Sequence, residues 1–115
     1  MTPFHVRFEG LSVAEANRAA AELRNAIERA GGNEVETSIR KETQETQDFG
    51  ATLVLILGTE AAIIVAKAIH SYVAKRGDKV VIETEGGKVL ATGAAAANID
   101  VAATAEAMRA ELDGQ

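Results

Sequence analysis

The side chains able to carry chemistry are few and far apart. The only imidazoles are His5 and His70. Neither has a second ligand at a spacing such as HxxxH or HExxH, where two nitrogens share one helical face and can hold a zinc ion. Both read as surface groups, His5 on the polar face of a first strand and His70 on the rim of a later helix beside Ser71 and Tyr72. Because cysteine is absent, thiolate nucleophiles, disulfide frameworks and sulfur-ligated zinc or iron-sulfur sites drop out. Ser12, Ser38 and Ser71 stand outside any GxSxG elbow and have no base at motif spacing. The glycine pairs at 31–32 and 86–87 fit neither GxxxxGK[ST] nor GxGxxG, so they predict caps and turns rather than a phosphate cradle. Glu83 and Glu85 would offer paired carboxylates, but their setting makes them the solvent face and turn approach of a strand. The expectation is a non-enzymatic chain with no catalytic, cofactor-binding or metal-ligating residues.

Charge narrows the partners. Twelve Lys and Arg face 17 Asp and Glu, giving a net charge of -5, and the bases are scattered, so the field that draws phosphates is missing. The aromatics are Phe4, Phe8, Phe49 and Tyr72, too few for a stacking strip. Nucleic acid is therefore not an expected partner. The opening MTPFHVRFEG has neither a basic n-region nor an apolar h-region, which predicts no secretory signal. Together with the missing cysteine it suits a reducing cytoplasm. At 115 residues and 47% hydrophobic, the chain predicts one domain, residues 1–115, around one core.

The elements follow from periodicity. Phe4, Val6 and Phe8 alternate with His5, Arg7 and Glu9, the period of a half-buried strand over 3–9. Ser12 with Glu15 forms a capping box. From there Val13, Ala16, Ala20, Leu23, Ile27 and Ala30 recur at helical steps up to a cap at Gly31. Arg18 with Glu22 and Arg24 with Glu28 suit its outer face. A second strand spans about 34–42, and the polar run TQETQD reads as a loop. Two β-rich runs, 79–85 and 88–93, flank Gly86 and Gly87 and predict a hairpin with a two-residue turn. Asn98 or Asp100 can cap a last helix with a stripe of Val101, Ala105, Met108 and Leu112.

The segment FGATLVLILGTEAAIIVAKAIHSYVA, 49–74, decides the architecture. Its apolar run is broken by Glu60, Lys67 and His70, which counts against a membrane span through residues 49–66. ATLVLIL alone fits either a buried strand or a buried helix. With four strands already placed, the reading is one long helix over 50–76, kinked at Gly58, capped at Thr59 and ended by Gly77. The expected fold is α/β (α+β): a single mixed four-stranded sheet packed by helices, in the order β-α-β-α(kinked)-β-β-α, with strands one and two parallel and the strand order left open. So apolar a helix is central or covered by another chain. The expected partner surface comprises Leu53, Leu55, Ile56, Ile63 and Ile64, and serves a protein partner or self-association.

The run TLVLILGTEAAIIVAKAIHSYVAKRGDKVVIETEGGKVL resembles a small bacterial family, the effector-associated constant components. There an LGSGGA-like stretch commonly precedes an alanine-rich helix, a basic patch and a V-x-V-x hairpin; here LGTEAA takes the middle place. The likeness covers about residues 4–112 in element order and 51–93 in wording. It implies a non-catalytic adaptor of bacterial conflict systems that couples a sensing component to an effector such as a peptidase, and it carries over no catalytic residue. The alternative expectation is a small ligand-binding or enzymatic domain with a pocket between sheet and helices.

Overall fold

The computed structural model of the chain describes residues 3–41, 51–76, 79–93 and 100–114. The expected loop at 43–48, the helix end at Gly77 and the alternative cap at Asn98 lie outside them. Within them the chain runs β1 (Phe4–Glu9), α1 (Val13–Gly31), β2 (Val35–Lys41), β3 (Ala51–Leu57), α2 (Ala62–Arg76), β4 (Lys79–Thr84), β5 (Val89–Gly93) and α3 (Val101–Asp113). Short 3-10 turns, Gly32–Glu34 and Thr59–Ala61, precede β2 and α2.

The five strands form one sheet in the order β2-β3-β1-β4-β5, and every neighbouring pair is antiparallel. This corrects the expectation of four strands in a mixed sheet. Residues 51–57 are a strand, and Gly58 ends that strand rather than kinking a helix. Strands β1 and β2 do run the same way, as the crossover through α1 requires, but β3 inserts between them. In the same manner β1 separates β3 from β4. The result is the split β-α-β-β-α-β arrangement, widened by β5 and α3.

Burial explains why the run ATLVLIL resisted periodicity. Leu53, Leu55 and Leu57 are fully buried against the helices with Phe4, Val6, Phe8, Val80 and Ile82. On the other face of β3, Thr52 and Val54 are also buried and Ile56 half-buried. A strand apolar on both faces gives no alternation to read. Helix α1 meets the sheet through Ala16, Ala19, Ala20, Leu23 and Ile27, α2 through Ala62, Val65, Ala66, Ile69 and Val73, and α3 through Ala105 and Met108. Val101 and Leu112 pack at the edges of that core, as their spacing predicts.

Helix and turn ends follow local chemistry, with some shifts from expectation. The Ser12–Glu15 capping box is present, at 3.0 and 3.1 Å. The Ser12 backbone N–H, and then its hydroxyl, hold the Glu15 carboxyl below its ordinary pKa. The positive φ after α1 falls on Gly32, at 55°, one residue beyond the expected Gly31. Thr59 supplies no side-chain cap; Gly58 takes the N-cap position of its turn. Between β4 and β5 the loop has four residues, 85–88, not two. Gly87 N–H donates to the Thr84 carbonyl and Thr84 N–H to the Lys88 carbonyl, with Gly87 at φ 95°, as in a turn followed by a left-handed residue. Asp100 caps α3 through the Ala103 N–H.

Candidate functional site

Two surfaces hold the side chains left over from the core. The first is the sheet face turned away from the helices. Cross-strand register puts Ser38, Val54, His5, Glu83 and Val89 in one row across all five strands, since directly paired residues share a face. Around that row lie Glu36 with Ile56, Arg40 with Thr52, Arg7 with Val81, Glu9 with Lys79, and Thr92. Val54 and Val81 are buried yet stand outside the hydrophobic core cluster. Ile56 is half-buried, and Val89 keeps 52% of its surface. Glu36, Glu9 and Glu83 are matched in number by Arg40, Arg7 and Lys79. Arg7 donates to both oxygens of Glu83, at 2.8 and 3.4 Å, on a diagonal between neighbouring strands. That hydrogen bond raises the guanidinium pKa.

His5 corrects its expected place. It does lie on the polar side of β1, but as a central-strand residue between Val54 and Glu83 it is buried, at 8% exposure. His70 is half-buried on α2. Glu85 sits exposed in the turn while Glu83 faces Arg7, so the two acids serve different surroundings. The five residues of the expected partner surface are not brought together. Leu53 and Leu55 are fully buried under the helices and are unavailable to a partner. Ile63 and Ile64 are half-buried on α2, Ile63 packing on the core. Ile56 alone lies on the helix-free face. Val81 and Val89, which complete that face, sat unremarked in the hairpin; the signal for them is the register with β1.

The second surface is a cleft of about 350 Å³ between α1 and α2. Ala26, Ala30 and Ala68 supply methyl groups along it, with Glu22, Arg29, Ser71, Tyr72 and Lys75 around them. It lies between two helices. Glu22 is held from both sides, by the Tyr72 hydroxyl at 3.0 Å and the Arg76 guanidinium at 2.8 Å, rather than pairing with Arg18. Arg76 also stands 5.8 Å over the Tyr72 ring, which meets Phe8 edge-on at 6.3 Å. Arg24 and Glu28, 3.2 Å apart, join Thr37 on β2; the Thr37 hydroxyl, then Arg24, lower the Glu28 pKa.

Among the described residues no group of three His, Cys, Asp or Glu is arranged to hold a metal ion, and no helix is long and apolar enough to cross a membrane. No family model, no curated protein and no solved structure matches the chain.

Proposed function

We propose that the protein is a non-enzymatic interaction module that self-associates through the helix-free face of its sheet. An adaptor in a bacterial defence or conflict system is the role its resemblance to the effector-associated constant components implies. The observation that carries self-association is β3, apolar on both faces in a sheet that, among the described residues, has helices on one face only. A strand facing water on one side ordinarily alternates apolar and polar residues; Val54 and Ile56 break that rule on the side without helices, and Val81 and Val89 lie on the same side beyond the polar β1 residues His5 and Arg7.

Charge selects a second copy of the chain as the occupant. Among the described residues three acids and three bases cancel on this face, one of each already joined as Glu83 and Arg7, although the chain as a whole carries -5. A two-fold contact presents the same patch twice. A patch of one sign would repel its copy, whereas a balanced one can pair acid with base across the axis.

Because the chain has no cysteine, one nitroxide label can be placed per molecule by a single Ser38→Cys change. With one label per chain, a dipolar signal arises only between chains. The reading predicts short inter-label distances for Ser38→Cys and longer ones for Ser71→Cys on the helical side. No dipolar signal from either label, or the shorter distance from Ser71→Cys, would overturn it.

A further inference from the structure

The α1–α2 cleft is on the opposite side of the molecule from the sheet face and is built differently. Its floor is methyl groups, and two cations on its walls, Arg29 and Lys75, form no ion pair among the described residues. The one acid in its lining, Glu22, is already neutralised by Arg76 and capped by the Tyr72 hydroxyl. Helix α2 contributes Lys67, Lys75 and Arg76 and no acid. In a chain with five more acids than bases, this is a local excess of positive charge.

Spacing says what would fit. Lys75 precedes Arg76, which touches Glu22, so Lys75 stands near the level of Glu22. Arg29 lies seven residues further along α1, roughly 10 Å at the helical rise. The two cations therefore bracket the alanine floor at its two ends.

We propose that this cleft binds an acidic segment of a protein partner, with two carboxylates roughly 10 Å apart, as at positions seven apart on a helix, and small side chains between them. The carboxylates pair with Arg29 and Lys75, and the small side chains lie against Ala26, Ala30 and Ala68. The Ser71 hydroxyl, exposed between the cations, is free to bond the segment's backbone. Aliphatic contact supplies area and the two cations supply register, the division of labour usual for helix-in-groove recognition. Such a site is independent of self-association, and its occupation leaves the sheet face untouched.

The test is a binding titration with the full chain and a labelled alanine-rich helical peptide that carries glutamates seven residues apart. Binding is expected to weaken as salt screens the exposed charges. Arg29→Ala and Lys75→Ala should each lower affinity by about two- to fivefold, the range for a solvent-exposed ion pair. Lys75→Glu should lower it further, while Val89→Ser on the sheet face should leave it unchanged. Absence of binding, or binding that both cation variants leave unchanged, would overturn the proposal. So would tighter binding of single-stranded DNA or inorganic phosphate with the same dependence on Arg29 and Lys75, because the cleft would then be a phosphate site.

Discussion

A methyl group added at position 31 would sit 2.7 Å from the Cγ2 of Val35. Gly31 is in the right-handed region, at φ -100°, so conformation does not require glycine there; close approach does. Helix α1 ends against the start of the edge strand it leads into, and Val35 is short, branched and buried. It has no rotamer that withdraws far. Gly31→Ala should therefore destabilise the protein by ~1–3 kcal/mol, the usual cost of overpacking. Adding Val35→Ala should recover part of that loss, giving a non-additive cycle in urea unfolding; strict additivity would remove steric contact as the cause. The glycine was visible in the sequence as a helix terminator, but its reason was not. Val35 is a neighbour only once β2 is seen to begin immediately beyond the turn.

Elements differ in how openly the sequence declares them. Helix α1 is legible because its small and aliphatic residues face one way and its charges another, and its cap is a local motif. Strand β1 is legible because His5, Arg7 and Glu9 mark its second side. Strand β3 has no such marker: Thr52 is its only polar residue, and both faces are apolar for different reasons. One face is core and the other is the helix-free surface. This difference has an energetic signature. Leu55→Ala should cost ~2–5 kcal/mol, as for a fully buried leucine whose cavity cannot collapse. Ile56→Ala, one residue away, should cost the single folded chain clearly less. Thermal unfolding of both variants at low protein concentration separates the two; equal losses would mean that Ile56 is as enclosed as Leu55.

At the scale of the molecule, the three helices among the described residues all lie on one side of the sheet. The central row of the other side, Ser38, Val54, His5, Glu83 and Val89, is neither the charged surface of a solitary two-layer domain nor an uninterrupted apolar slab. On the proposed reading a second copy would answer both halves of that description, covering Ile56 and Val89, which keep exposed surface, and leaving Glu36, Glu9, Arg40 and Lys79 to pair across the axis, since Arg7 already holds Glu83. The acidic-segment cleft then sits on the far side, so each chain of a dimer would present one to the outside. Sequence carries part of this: the apolar excess of residues 51–57 marked a segment either central to the fold or covered by another chain, and Leu53, Leu55 and Leu57 are core. Which residues form it depended on strand register, which no local pattern encodes.

The most direct measurement is sedimentation equilibrium of the wild-type chain and of Ile56→Lys over a range of concentrations. The substitution places an ammonium opposite Glu36, where the folded monomer can accept it, and circular dichroism verifies that it does. Wild type should sediment at twice the 12.0 kDa chain mass, and the variant, still folded, at the single-chain mass. A wild-type protein that stays at the single-chain mass at every concentration, or a folded variant that dimerises equally well, would contradict self-association through the helix-free face.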